Sequence, residues 1–271
     1  MAQDLKSLQA KMLEIMKFIH DVSIKNDVDY FIMGGTALGA VRHQGFIPWD
    51  DDIDIFMTYK DYLKFYKAFH ALNTTKFIIQ EWGVENHLEY AKVRMNGTTY
   101  IEDAFKDRSE MHHGIFVDIM ILRHCPNNSI QKTIYYYVSK YITLQALISR
   151  NWKPQKKIQK LIYNGVKLVE SRWLTKKAYR YIESFENKPA RYFCYFITRS
   201  NYHQGIFDKN IFYPKTLFKF EDTYLYGPNQ IRKYLEIRYG EYMKLPNDDE
   251  IKEYIHAKYA DTEADYREFL S

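Results

Sequence analysis

The sequence predicts an α+β fold, in which a small mixed β-sheet is flanked by helices and interrupted by a helical insertion. The 271 residues are 46% hydrophobic and 27% charged, as expected for a globular chain with one large or two small domains. Apolar and alternating runs typical of strands are interleaved with amphipathic stretches. We expect a mixed core over residues 1–125, a basic helical insertion over 126–205 and a C-terminal segment, 206–271, that packs back on the core.

The elements of the core are predicted from the spacing of its apolar side chains. Repeats of three and four residues indicate helices, whereas alternation and short apolar runs indicate strands. Asn96 and Gly97 separate two such runs and predict a hairpin between them. In chain order we expect a helix at 3–27, a strand at 30–33, helices at 36–43 and 59–72 on either side of a strand at 53–57, and strands at 77–80, 90–95, 98–101 and 114–122.

The later residues divide into a helical block and a mixed ending. The helical block is rich in tyrosine and aliphatic residues at helical spacing, and the ending alternates like strands before a last helix that Gly240 closes. In chain order we expect helices at 130–150, 155–171 and 175–185, strands at 192–198, 217–221 and 223–226, and a helix at 229–239.

A glycine pair and an aspartate cluster, both within residues 31–56, suggest a site for a phosphorylated ligand. Gly34 and Gly35 let the backbone bend and approach a ligand, and the N-terminus of the helix that follows suits a phosphate. Thr36 adds a hydroxyl donor. If residues 52–55 form a strand, Asp52 and Asp54 lie on one face and repel each other unless a cation separates them. A hard divalent ion, usually Mg²⁺, fits such ligands.

Either feature alone is more often structural, but their order after an apolar strand indicates metal-assisted transfer of a phosphorus-containing group. Three more charged residues belong to this interpretation. Lys92 and Arg94 share one face of a predicted strand, where they either contact phosphates or lie at the surface. Asp118 is the single charge in an otherwise apolar strand, which is unfavourable unless the carboxylate is paired or metal-bound.

The string GGTALGAVRHQGFIPWDDDIDI, residues 34–55, resembles the LicD family of phosphocholine transferases that decorate bacterial surface glycans. The family has a nucleotidyltransferase-like fold, and fukutin-type proteins are distant relatives. Weaker similarity extends over residues 92–99, 114–119 and 239–246. The resemblance implies a nucleotidyltransferase-like catalytic core with Asp52, Asp54 and Asp118 as catalytic and metal-binding residues, holding one or two Mg²⁺ ions, or Mn²⁺. The residues themselves suggest substrate contacts from Gly34, Gly35, Thr36, Lys92 and Arg94, and from Arg42, which could equally pair with Asp50 or Asp51. The resemblance adds a substrate contact from Glu221, for which a plain surface acid is the alternative.

The resemblance further implies transfer of phosphocholine from CDP-choline to a sugar hydroxyl on a lipid-linked glycan of the teichoic acid or lipooligosaccharide type. Nucleic acid is not an expected partner. Choline recognition requires aromatic faces, for which Trp49, Trp82 and Tyr100 are candidates. Two alternatives stay open: a nucleotidyltransferase acting on a nucleic acid or small molecule, and a non-catalytic adaptor that binds a membrane or polyanion.

The charge of the chain is unevenly distributed. Residues 130–180 contain twelve basic residues and one acidic residue, a net charge of +11, which leaves −6 for the rest of a chain whose total is +5. The block is either a solvated outer face or a surface for a polyanion or an anionic membrane. Cys125 and Cys194 form no metal or disulfide pattern, and no leader sequence is evident. We therefore expect a cytoplasmic protein, peripheral at the inner face of the cell membrane.

Overall fold

The structure is a computed structural model that describes residues 5–83, 88–169, 171–198, 201–245 and 257–269. The chain divides into two compact units, the first formed by residues 1–80, 91–121 and 210–271 and the second by residues 81–90 and 122–209. Helices and a mixed sheet confirm the predicted α+β class.

Most helices and strands lie close to their predicted positions, whereas the short strands at 206–208 and 257–261 fall where none was predicted. The first half contains α1 (Leu5–Lys25), β1 (Tyr30–Ile32), α2 (Gly34–Arg42), β2 (Asp54–Thr58), α3 (Tyr59–Ala71), β3 (Phe77–Gln80), β4 (Ala91–Met95), β5 (Thr99–Glu102) and β6 (Phe116–His124). The second half contains α4 (Ser129–Ser149), α5 (Lys157–Leu168), α6 (Arg172–Glu183), β7 (Tyr192–Cys194), β8 (Ile206–Asp208), β9 (Thr216–Phe220), β10 (Thr223–Gly227), α7 (Ile231–Tyr239) and β11 (Ala257–Asp261).

The sheet of the first unit has the strand order β1-β2-β6-β4-β3. Strands β1 and β2 are antiparallel, with Phe31 opposite Phe56. Strands β4 and β6 are also antiparallel, with Lys92 opposite Asp118. This register follows from burial on both faces, since a shift by one residue would move every side chain of β6 to the other face. The order places β2, which carries Asp54, next to β6, which carries Asp118. Asp52 lies two residues before β2, so the expected strand over residues 52–55, with Asp52 and Asp54 on one face, is wrong.

The predicted hairpin at Asn96-Gly97 is wrong in its pairing. Gly97 has the positive φ of +72° expected of a turn, but β5 pairs with β11 and not with β4. The turn sequence therefore reversed the chain without setting the partner of the returning strand. Strands β9 and β10 do form a hairpin, in which Phe220 is opposite Thr223.

Helix α1 contributes one apolar face to the core of the first unit. Its buried side chains recur at helical spacing: Leu8, Met12, Ile15, Met16, Ile19 and Val22. Burial of each such side chain contributes about 1.5–3 kcal/mol relative to exposure. The helix contacts α3 and β4, so it covers the sheet that carries the aspartates, as the sequence predicted.

The second unit has its own core, formed where α4 and α6 pack together. Ile142, Ile182 and Phe185 are buried there with both cysteines. Cys125 and Cys194 remain free thiols, as predicted. The end of β6 belongs to this unit, with Arg123 opposite Cys194. In the described parts of the chain, no helix combines the length and apolar character needed to cross a bilayer.

Candidate active site

The glycine pair lies directly against two aspartate side chains. Gly34 has a φ of +56°, and a Cβ there would lie 3.0 Å from Oδ2 of Asp54. A Cβ on Gly35 would lie 2.6 Å from Oδ2 of Asp50. Glycine at both positions therefore allows the N-terminus of α2 to approach the carboxylates closely. The sequence predicted a glycine bend beside aspartates, and this arrangement is the one observed.

Asp54 is the first residue of β2, and the backbone fixes its position. Its N–H donates to Oγ1 of Thr36 at 2.9 Å, which joins the start of the strand to α2. Its own carbonyl accepts from the N–H of Met33 at 3.1 Å. The Oδ1 atom is buried and has no hydrogen-bond partner within the described residues. A buried acceptor that receives no hydrogen bond is energetically unfavourable, so Asp54 has the capacity to bind a ligand.

The other aspartates lie near Asp54. Burial raises the pKa of Asp54 well above its ordinary value, and the negative charges of Asp52, Asp118 and Asp50 raise it further. Asp118 is adjacent because its N–H donates to the carbonyl of Ile53 across the β2–β6 boundary at 2.9 Å. The structure therefore brings the three predicted catalytic aspartates into one region.

Asp118 carries its own counter-charge. Lys92 Nζ lies 2.8 Å from Oδ1 of Asp118 and 3.3 Å from Oε1 of Glu102. Burial raises the pKa of Asp118 to about 6, although Lys92 acts in the opposite direction. The ammonium also lies 3.4 Å from the ring centroid of Phe116. Lys92 thus stabilises a carboxylate that would otherwise be unfavourable inside the protein.

Arg94 belongs to the same buried network. Its Nε donates to Gln80 at 2.6 Å, its Nη1 donates to the carbonyl of Gly114 at 2.9 Å, and its Nη2 lies 3.3 Å from Glu102. Burial opposes ionisation of Glu102, but Lys92 and Arg94 outweigh it and lower the pKa of this carboxyl. Both cations are fully buried, so the alternative that they lie at the surface is wrong. Contact with phosphate stays a prediction.

Arg42 and Glu221, two further predicted substrate-binding residues, form hydrogen bonds with backbone groups of the protein. Arg42 Nη1 donates to the carbonyl of Tyr242 at 3.0 Å. Glu221, an exposed residue, accepts the N–H of Phe46 through Oε1 at 2.9 Å. The Oε1 atom would lie only 2.0 Å from a Cβ on Gly45. Glu221 therefore holds the loop that leads to the aspartates, and its predicted substrate contact stays a prediction.

Of the aromatic candidates, Tyr100 is fully buried against Phe116, with ring centroids 4.8 Å apart. Its hydroxyl donates to the carbonyl of Asp51 at 3.1 Å. The ring therefore supports the aspartate segment from within the core. Trp49 is partly exposed in the same unit, and Trp82 is partly exposed in the other.

The residues present fit a divalent cation in charge and in chemistry. Six carboxylates lie in this region, and the fully buried cations Lys92 and Arg94 are both engaged with Glu102. The carboxylates are Asp50, Asp51, Asp52, Asp54, Glu102 and Asp118. Within the described residues, no three acidic, histidine or cysteine side chains are already arranged closely enough to hold an ion. Binding would therefore require side-chain rotation.

Comparison with known proteins identifies the type of domain. A family model described as LicD/FKTN/FKRP, nucleotidyltransferase domain, matches residues 27–145. The lipopolysaccharide cholinephosphotransferase LicD of Haemophilus influenzae is 29% identical over 266 residues, covering 92% of this chain and 94% of that protein. Residues 27–145 therefore form a LicD-type nucleotidyltransferase domain. The chain is accordingly an enzyme of the phosphotransferase type, and the resemblance of residues 34–55 to the LicD family is confirmed.

Two shorter matches concern uncharacterised proteins. One from Rickettsia typhi is 48% identical over 54 residues, or 20% of this chain and 18% of that protein. One from Rickettsia prowazekii is 50% identical over 50 residues, or 18% of this chain and 19% of that protein. Both similarities are therefore confined to short stretches of each chain.

Three residues of the candidate site are not predicted by the sequence. Glu102 falls just after the strand expected at 98–101, although two cations on one face of a buried strand require a carboxylate nearby. Tyr234 accepts the N–H of Gly34 through its hydroxyl at 3.1 Å, and the Tyr239 hydroxyl lies 3.7 Å from where a Cβ of Gly34 would be. No local signal connects these tyrosines to a glycine about 200 residues earlier.

Proposed function

We propose that this enzyme transfers phosphocholine from CDP-choline to a sugar hydroxyl of a cell-surface glycan, with a divalent cation. A lipid-linked acceptor of the lipopolysaccharide type is favoured, with teichoic acid as the other candidate. The main support is the similarity to the Haemophilus influenzae cholinephosphotransferase, which extends over nearly the full length of both chains. Cytoplasmic localisation stays a prediction.

Asp52, Asp54 and Asp118 would hold the cation, either Mg²⁺ or Mn²⁺, as one or two ions. Support comes from Oδ1 of Asp54, which is buried without a hydrogen-bond partner among the described residues, and from the neighbouring negative charges of Asp52, Asp118 and Asp50. When bound, the cation supplies charge neutralisation at the oxygens of a pyrophosphate group. Oxygen ligands of this kind match the preference of both ions.

The protein groups would divide the remaining tasks. Asp118 has two alternative roles: it is either a ligand of the cation or, outside the coordination sphere, the base that accepts the proton of the acceptor hydroxyl, for which a pKa of about 6 without bound metal is suited. Lys92 keeps this carboxylate oriented from 2.8 Å away. The N-terminus of α2, at Gly35 and Thr36, favours the negative charge of the donor phosphates. The amide of Gly34 already donates to Tyr234, so that tyrosine orients the turn.

The proposal is tested by incubating the purified full chain with CDP-choline, Mg²⁺ and lipopolysaccharide or teichoic acid precursors. We expect release of CMP and acceptor-dependent incorporation of phosphocholine, both abolished by chelation of the metal. Asp54→Asn keeps the shape of the side chain and should lower turnover by at least about 10³-fold, as expected when a central electrostatic group is removed. Asp222→Asn, an exposed residue paired with Lys17, serves as the matched control and should retain full turnover.

The same assay separates the two alternatives. Transfer of AMP from ATP, without reaction of CDP-choline, would favour a nucleotidyltransferase acting on another acceptor. If the protein is an adaptor, the wild-type chain and the Asp54→Asn variant should bind glycan equally well, and neither should release a nucleotide product. Either result would contradict the proposed reaction.

A further inference from the structure

Helix α5 exposes a continuous apolar face. None of its residues is buried, and Ile158, Leu161, Ile162 and Leu168 are 68, 74, 51 and 88% exposed. Their spacing of three, four and six or seven residues places them on one side of the helix. Removing so much aliphatic surface from water is favourable, so a face of this size in a folded domain indicates a binding surface.

The same helix is attached to its unit along a different side. It contacts α4, and the Tyr163 ring lies 6.2 Å from that of Trp152. Tyr163 and Val166 are the only residues of α5 with intermediate exposure, which identifies the side turned toward the protein. The apolar face is consequently not the face that holds α5 in place. Its substitution should leave the fold intact.

Basic residues are frequent in the part of the sequence that carries this apolar face. Residues 153–177 contain eight lysines and arginines and a single acidic residue. By helical spacing, Lys160 and Lys167 lie on the side of α5 opposite the apolar residues. Trp173, near the start of α6, is 65% exposed, and Lys177 Nζ lies 3.8 Å from the centroid of its ring. An apolar face with basic residues behind it and a nearby exposed tryptophan is the arrangement of helices that lie in a membrane interface.

We propose that α5, with Trp173, docks the protein on the surface of an anionic lipid bilayer. This inference does not depend on the reaction proposed above. The apolar face would enter the boundary between headgroups and acyl chains, while the net positive charge of residues 153–177 attracts the protein to the anionic surface. Helix α4 is the other long helix of the basic block. The structure buries Tyr135, Ile142 and Leu147 of that helix, so α5 is the better candidate.

Two other occupants fit less well. A second copy of the chain would bring two basic surfaces together, and like charges oppose such an interface. A soluble polyanion would engage the lysines but would leave the four aliphatic side chains in water. Only an anionic membrane satisfies both the apolar face and the charge.

The test is co-sedimentation of the full chain with vesicles of phosphatidylglycerol and phosphatidylcholine in equal amounts, compared with phosphatidylcholine alone. We expect binding to the anionic vesicles that weakens with salt. The double variant Leu161→Glu, Leu168→Glu should lower the partition coefficient at least about tenfold. The double variant Leu63→Glu, Leu217→Glu adds the same charge at two exposed leucines of the other unit, which are 50 and 49% exposed, and should bind within about twofold of wild type.

Several outcomes would overturn the inference. These are no binding of the wild-type chain to anionic vesicles, equal loss in both double variants, or retention of binding by the α5 variant. Sedimentation velocity without lipid identifies a second copy as the occupant if a dimer disappears only in the α5 variant. Binding to soluble polyphosphate that accounts for all vesicle binding would identify a polyanion site. Melting temperatures equal to that of the wild-type chain would show that neither double variant loses binding because it unfolds.

Discussion

Replacement of Lys92 by methionine tests whether the buried ion network holds the catalytic carboxylates in place. The side chain is fully buried, and its ammonium lies 2.8 Å from Asp118 and 3.3 Å from Glu102. Methionine fills nearly the same volume without charge, so Asp118 loses its nearest cation while Glu102 keeps Arg94. Breaking one partner of a buried pair costs about 3–5 kcal/mol, a large part of the roughly 5–15 kcal/mol typical of a folded protein.

The assay is urea unfolding followed by circular dichroism. With a denaturant dependence of about 3 kcal/mol per M, the midpoint should fall by about 1 M or more. Lys76→Met is the matched control, because this lysine forms an exposed pair with Glu14. Its removal should change the free energy of unfolding by less than about 1 kcal/mol.

A double-mutant cycle with Asp118→Asn identifies the partner. If Lys92 acts mainly on Asp118, the neutral asparagine should make the loss of the lysine less severe by about 2 kcal/mol. Strict additivity of the two substitutions, or a loss below about 1 kcal/mol for Lys92→Met alone, would refute a stabilising pair between Lys92 and Asp118.

Three further predictions concern the surroundings of the site. Gly34→Ala should cost about 1 kcal/mol of unfolding free energy, because φ is +56°, and should weaken Mg²⁺-dependent CMP release about tenfold or more; unchanged kinetics would contradict the contact with Asp54. Burial lowers the pKa of His112 to about 4, so between pH 6.5 and 4 the unfolded chain binds a proton that the folded chain does not. The free energy of unfolding should therefore decrease by about 2 kcal/mol as the pH is lowered from 6.5 to 4, and by less in His112→Asn; equal decreases in the two proteins would refute this. Glu221→Ala removes the acceptor of the Phe46 N–H and should cost about 1 kcal/mol in urea unfolding, against no loss for Glu263→Ala.

Local sequence pattern accounted for much of the fold and for part of the site. The spacing around Asp54 and the apolar run around Asp118 predicted two strands with carboxylates, and both are observed next to each other. Glycine and aspartate are informative in this way because their effect on the chain is local: one permits a bend, and the other is unfavourable in a strand without a partner.

Partnerships set by strand register and by distant segments could not be predicted. Lys92 meets Asp118 only because β4 and β6 pair in one register, and the sequence alone left two interpretations of its role open. The same holds for β5, whose partner β11 lies about 160 residues later, and for the hydroxyl of Tyr234 at Gly34. Such contacts depend on tertiary packing, which intrinsic propensities do not encode.

The segment that leads to the aspartates is fastened at several points before any ligand arrives. The N–H of Glu221 donates to the carbonyl of Gln44 at 2.7 Å, its carboxylate accepts from Phe46, and Gln9 donates to the carbonyl of Asp50 at 2.9 Å. Ordering one backbone residue opposes folding by about 1–2 kcal/mol of conformational entropy. In this segment the entropy is lost when the chain folds and not when a substrate binds. Substrate association need not supply it again, so the affinity for a donor can depend on contacts with the donor alone.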